Sequence, residues 1–96
     1  MENKRTAEFR AMFDELPKRI QELASKAFRK FTIDPTAKGL RSHPLKDTGK
    51  GKHVPGSVSV SISMDYRAIY YVDENNTNIW YWIGSHADYD QFTGNF

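Results

Sequence analysis

Two residues in the C-terminal half are of types that together can handle a phosphodiester. Arg67 is the single cation in the run Tyr66-Arg67-Ala68-Ile69-Tyr70-Tyr71-Val72, where every other residue is apolar or aromatic. Its planar guanidinium carries paired donors that match phosphate oxygens. His86 closes a second run, from Asn78 through Trp80, Tyr81 and Trp82 to Gly84-Ser85-His86. Imidazole exchanges protons near neutrality, so it suits general acid or base work. Both runs are dense in aromatic and β-branched residues and read as strands, with the polar stretch Asp73–Thr77 as the hairpin loop between them. A hairpin carrying both groups can bind a phosphodiester and move a proton on it, provided the two side chains meet on one face.

Each residue also has a plainer role. Arg67 can pair with Asp65 or Asp88, or stack on a tyrosine. His86 can be an ordinary hydrogen-bonded surface residue whose value rises only if Arg67 lies across the same ladder. Tyr89 can stack on a base or share in proton transfer, and Asp88 or Asp90 can orient His86. The same segment also reads as a helix start, with Ser85 as N-cap and Asp88 three residues on. A third group is His43, His53 and the lysines Lys46, Lys50 and Lys52. Lysines on a loop beside a sheet can hold RNA backbone or stabilise charge on a scissile phosphate. They are equally consistent with a solvated loop. The three histidines match no zinc spacing and have no cysteine to assist them, so neither a metal nor any other cofactor is expected.

These groups need a scaffold, and the hydrophobic periods outline one. Phe9, Met12, Phe13, Leu16, Ile20, Leu23, Ala24, Ala27, Phe28 and Phe31 recur at three- and four-residue steps, the period of an amphipathic helix. Pro17 interrupts the run and disfavours helix at Leu16, which predicts two helices, roughly Thr6–Asp14 and Pro17–Phe31. Asp34-Pro35 ends the second. Beyond Leu40 the period changes. Leu40–Leu45 is a candidate short strand confined by its proline to an edge or an end. Asp47–Lys52 is a flexible basic loop. Val58, Val60, Ile62 and Met64 alternate with Ser57, Ser59, Ser61 and Ser63, as in a strand with one buried and one wet face. Met64-Asp65 is then a tight turn into Tyr66–Val72. Alternation sends Tyr66, Ala68, Tyr70 and Val72 to the core and Arg67, Ile69 and Tyr71 to the opposite, open face. Ala87–Phe92 suggests a helical turn before a frayed tail. The order predicts an α+β fold: two N-terminal helices on one face of a small, mostly antiparallel, twisted sheet of three or four strands.

Bulk properties set the frame. At 96 residues the chain spans a single domain, residues 1–96. The absence of cysteine fits a reducing compartment. No apolar run approaches the length of a membrane span and the amino end has no signal-like core, so a soluble cytoplasmic protein is expected. The net charge of +2 is unevenly spread. Lys38, Arg41, Lys46, Lys50 and Lys52 face only Asp47 in the middle segment, whereas Arg67 is the one cation after His53. A basic middle segment suits an anionic partner, foremost nucleic acid.

The ordered series of features resembles the RelE/ParE superfamily of bacterial type II toxins. It includes Phe9…Leu16-Pro17, Asp34-Pro35, Leu40-Arg41…His43-Pro44-Leu45-Lys46, Val58–Ile62 and Asp65-Tyr66-Arg67-Ala68-Ile69-Tyr70, with Trp80–Asp90 the most specific piece. The resemblance implies the RelE-like microbial ribonuclease toxin fold and a translation-blocking endoribonuclease. Such a toxin cuts mRNA, usually on the ribosome, without a metal, and is silenced by a cognate antitoxin. By the same resemblance Arg67 contacts the scissile phosphate, and His86, with Tyr89, acts as general acid. His43 and Asp65 match positions used by the YafQ-like branch, and Lys46, Lys50, Lys52 and Arg41 fall where RNA is held. The chain lacks the full lysine-rich set of RelE itself. The ParE branch shares the fold but inhibits DNA gyrase, and a catalytically decayed antitoxin-binding relative is a further alternative.

Overall fold

A hairpin and a helical corner organise the molecule, and both follow from local sequence. The computed structural model describes residues 2–47 and 49–94. Strand β1 (Asn3–Arg5) leads into helix α1 (Ala7–Asp14) and helix α2 (Lys18–Ile33). A 3-10 turn (Lys38–Leu40) precedes β2 (His43–Pro44), and β3 (Val58–Ser61), β4 (Tyr66–Val72), β5 (Asn78–Ser85) and helix α3 (His86–Thr93) complete the chain. The five strands form one sheet in the order β1-β5-β4-β3-β2, antiparallel except for the β1–β5 pair. The α+β layout expected from the sequence is therefore present.

The helix boundaries fall where the capping chemistry puts them. Thr6 Oγ1 accepts the Phe9 amide at 3.0 Å and starts α1. Pro17 sits at the N-cap of α2, where its missing N–H costs nothing. The corner between the helices is pinned by Gln21, whose Nε2 donates to the carbonyls of Phe13 and Leu16, each at 3.1 Å. Those carbonyls lie at the end of α1 and just beyond it, where helical partners run out. On the sheet face beneath the helices, Phe9, Phe31, Leu40, Val60, Ala68, Trp80 and Ile83 form the main core. Phe31 meets Trp80 edge to face, with centroids 5.0 Å apart.

Several expectations need correction. The sheet has five strands, because β1 adds a parallel edge that three mostly polar residues could not announce. Asn3 anchors it, its Oδ1 accepting from Trp80 Nε1 and Asn78 Nδ2, both at 3.0 Å. The candidate strand Leu40–Leu45 shrinks to His43–Pro44, since Lys38–Leu40 turns as a 3-10 helix. Met64 lies not on the buried face but in the bend before β4, 87% exposed, and Val72, expected in the core, is exposed where β4 ends.

The largest correction concerns the face carrying Arg67. It is not open. Helix α3 crosses it, and Ile69, Trp82 and Tyr89 form a second, smaller core there, joined by Met12, Leu45, Tyr81 and Phe92. The serine face of β3 is accordingly dry: Ser57 and Ser59 are fully buried. Alternation distinguishes two faces but does not say which of them meets water. The segment expected as a helical turn is a capped helix, Ser85 Oγ accepting the Asp88 amide at 3.2 Å as its sequence foretold. Of the expected frayed tail, Asn95 and Phe96 lie outside the described residues, as does Thr48 in the basic loop.

Candidate functional site

Strand register decides which of the chemically interesting residues share a face. One cross-strand row reads His43, Ser59, Ile69, Trp82, and the next reads Ser61, Arg67, Gly84. Directly opposed residues point the same way, so His43 and Arg67 rise from the same side of the sheet. Gly84 presents no side chain beside Arg67. A Cβ there would lie 3.0 Å from the Trp82 ring, so the indole occupies that space.

Helix α3 begins where β5 ends and delivers the remaining groups. His86 is its first residue, and its backbone N–H donates to the Asp65 carbonyl at 2.6 Å. That bond ties the helix start to the bend before β4. One turn on, Tyr89 is 5% exposed and its ring lies under the Arg67 guanidinium, with Cζ 5.2 Å from the ring centroid. The His86 ring is 5.7 Å from the same tyrosine. His86 Nδ1 pairs with Asp90 Oδ2 at 3.3 Å, an i,i+4 contact that orients the imidazole.

The guanidinium itself is under-served. Arg67 Nε and Nη1 are enclosed and find no hydrogen-bond partner in the protein, although enclosed donors are normally paired. His86 takes Asp90 as its ion-pair partner, and among the described residues no ion pair joins Arg67 to Asp65 or Asp88. The stacking alternative considered for Arg67 is realised, and the ion-pair alternative is not. An anion reaching this guanidinium would find donors already desolvated and aimed by the tyrosine.

The other candidates distribute around this centre. His43 and Lys46 line a recess of about 270 Å³ together with His53 and Tyr89, on the β2 side of α3. His43 is exposed, its Nδ1 3.1 Å from the Arg41 carbonyl. Lys50 and Lys52 border a larger groove on the other flank of α3. Asp65 is exposed beside His86. Arg41 is set apart, in a recess with Pro35, Thr36, Lys38 and Tyr70, and adopts a left-handed φ of 47°. Thus Arg67 and His86 meet on Tyr89, the Asp65 backbone joins them at the His86 amide, His43 and Lys46 approach through Tyr89, and Arg41 does not join them. Among the described residues no group of His, Cys, Asp or Glu is arranged to hold a metal ion, and no helix is long and apolar enough to cross a membrane.

Sequence reasoning missed the residues that hold the basic loop. A β-bulge leaves Tyr81 unpaired between Trp80 and Trp82, which places both Tyr81 and Trp82 against Phe92 of α3. The Tyr81 hydroxyl then accepts the Val54 amide at 2.9 Å and bonds Ser57 Oγ at 2.6 Å. The buried His53 Nε2 meets the Lys46 carbonyl at 2.9 Å, and the Lys52 amide donates to the Phe92 carbonyl at 2.7 Å. His53 is therefore a pin within the loop. Its only sequence signal was an isolated histidine in a basic stretch.

No protein-family model and no curated protein matches this sequence. Solved structures do match its shape. The YoeB/ParE toxin from Agrobacterium tumefaciens superposes with a TM-score of 0.68 at 19% identity, over 90% of this chain and 99% of that one. YafQ from E. coli strain BL21(DE3) gives 0.68 at 16% identity, over 92% and 96%. The RelBE2 toxin–antitoxin complex from Mycobacterium tuberculosis gives 0.66 at 21% identity, over 88% and 96%. At these identities the likeness establishes the fold: this chain is built as those toxins are.

Proposed function

From that shared fold and the Arg67 site together, we propose that the protein is the toxin of a toxin–antitoxin pair and a metal-independent endoribonuclease acting on mRNA in the cytoplasm. The observation that carries this reading is that Arg67, whose enclosed Nε and Nη1 lack hydrogen-bond partners, shares the Tyr89 ring with a histidine already paired with a carboxylate. In the reaction we assign, the ribose 2′-oxygen attacks the adjacent phosphorus while the P–O5′ bond breaks. Asp65, exposed next to the helix start, takes the 2′-hydroxyl proton. Arg67 stabilises the extra negative charge on the phosphoryl oxygens. His86, its Nδ1 held by Asp90, delivers a proton from Nε2 to the departing 5′-oxygen. The products are a 2′,3′-cyclic phosphate and a 5′-hydroxyl. Tyr89 holds the guanidinium in place, His43 and Lys46 bind the flanking backbone, and Lys50 and Lys52 add electrostatic attraction. Charge neutralisation over the basic loop gives an acidic antitoxin segment its foothold.

The test is cleavage of mRNA on programmed ribosomes by wild type, Arg67→Ala and His86→Ala. Loss of cleavage in both variants, with folding retained by circular dichroism, supports the assignment. Growth arrest with intact mRNA and stalled DNA gyrase would instead mark an inhibitor of the ParE kind, and the nuclease reading would be abandoned.

A further inference from the structure

A groove of about 780 Å³ runs between the C-terminal end of α1 and α3, along the part of β5 that β1 does not reach. It adjoins the Arg67 site directly. Gly84, the cross-strand partner of Arg67, lines it, as do Ser85 and Asp88 on either side of His86. Its apolar surface includes Tyr66, Trp82 and Phe92, the last two stacked at 5.3 Å with planes 19° apart. Asp88 and Gln91 are both exposed and lie three residues apart on α3, so they share one helix face toward the groove. Lys50 and Lys52 complete the lining.

Apolar and aromatic walls, two hydrogen-bonding side chains and two cations are the parts of a nucleotide site. The aromatic surface suits a base, the lysines a phosphate, and the carboxylate and amide an edge of hydrogen-bonding groups. An acidic peptide fits less well, because Asp88 and Glu15 both line the groove. We infer that this groove receives the nucleobase adjoining the scissile phosphate, and that Asp88 and Gln91 determine which base is accepted. The inference rests on the reading of Arg67 and His86 as a phosphodiester site. A carboxylate can only accept hydrogen bonds. Asp88 therefore selects adenine, cytosine or guanine, whose exocyclic amines donate, over uracil, whose one donor on that edge, N3–H, sits between two carbonyl oxygens that repel a carboxylate. The backbone of Asp88 makes the cap contact with Ser85, so the side chain is available for this task and can be changed without removing the cap.

Two measurements test it. The first is the base distribution at cleavage sites in RNA pools for wild type, Asp88→Asn and Gln91→Ala. The wild type should disfavour uracil beside the cut. Asp88→Asn adds an amide donor and should raise relative kcat/KM for uracil-containing sites by roughly tenfold, and Gln91→Ala should flatten the remaining preference. The second uses trinucleotides with 2′-O-methyl groups, which bind but cannot be cut, differing at one base and followed by tryptophan fluorescence, because Trp82 lines the groove. Base-dependent binding that Asp88→Asn alters, without any cleavage by wild type, would uphold the groove and remove the nuclease reading. Cleavage with a base distribution unmoved by either substitution would sink the groove and leave the nuclease reading standing. Neither binding nor cleavage would overturn both.

Discussion

The guanidinium of Arg67 lies 5.2 Å above the ring of Tyr89, and that contact joins the sheet to the C-terminal helix. It also separates two roles for the tyrosine. As a platform Tyr89 needs only its ring; as a proton donor it needs its hydroxyl. Tyr89→Phe should therefore leave cleavage within a few-fold of wild type, measured on a defined RNA. Arg67→Lys keeps the charge but loses the planar donors, and should lower kcat by roughly 10²–10³. A collapse of activity in Tyr89→Phe would reassign the acid from His86 to the phenol.

The His86–Asp90 pair makes a second forecast. His86→Gln removes the acid and should lower kcat by about 10²–10⁴. Asp90→Asn leaves the imidazole in place but loses the carboxylate that orients it, so the drop should be smaller and confined to kcat, with RNA affinity preserved. Equal losses of kcat and affinity would mean that Asp90 supports the fold and not the chemistry.

Tyr81 should matter through the loop it holds. Tyr81→Phe deletes two hydrogen bonds worth about 1 kcal/mol each, from Val54 and Ser57. Amide exchange at Val54 should accelerate. Because Lys46, Lys50 and Lys52 ride on that loop, KM for RNA should rise several-fold and the salt dependence of binding should weaken, with kcat unchanged. A fall in kcat at constant KM would contradict this division.

Burial pushes the Tyr70 phenol above its ordinary value near 10. A raised folded value means that folding favours the neutral phenol. Its contribution to stability is full below the unfolded value and is lost as pH rises through the folded one. Urea midpoints should decline from about pH 10 upward, and Tyr70→Phe should remove that part of the decline. The aromatic contacts of the ring with Phe31 and Trp80 should persist in the variant. An identical alkaline slope in Tyr70→Phe would place the titration elsewhere.

Local chemistry made much of this molecule legible in its sequence. The apolar period from Phe9 to Phe31, the break at Pro17 and the Ser85 cap each depend on neighbours a few residues away, and each recurs in the structure as read. Arg67 and His86 were identifiable because their residue types stood out against apolar surroundings. What the sequence could not determine were properties that arise only when distant segments meet. The parallel β1 strand exists because Asn3 finds Trp80 and Asn78 across the fold. The serine face of β3 is dry because it shares the sheet face on which Ile69, Trp82 and Tyr89 build a second core, and Ser57 bonds the Tyr81 hydroxyl there. Tyr81 reaches Val54 and Ser57 because a single bulge turns two successive side chains to one face. The pairing of Arg67 with the Tyr89 ring, in place of any carboxylate, was likewise settled by where the last helix lands on the sheet. Periodicity encodes which residues share a face; only the packing of one element on another decides what that face meets.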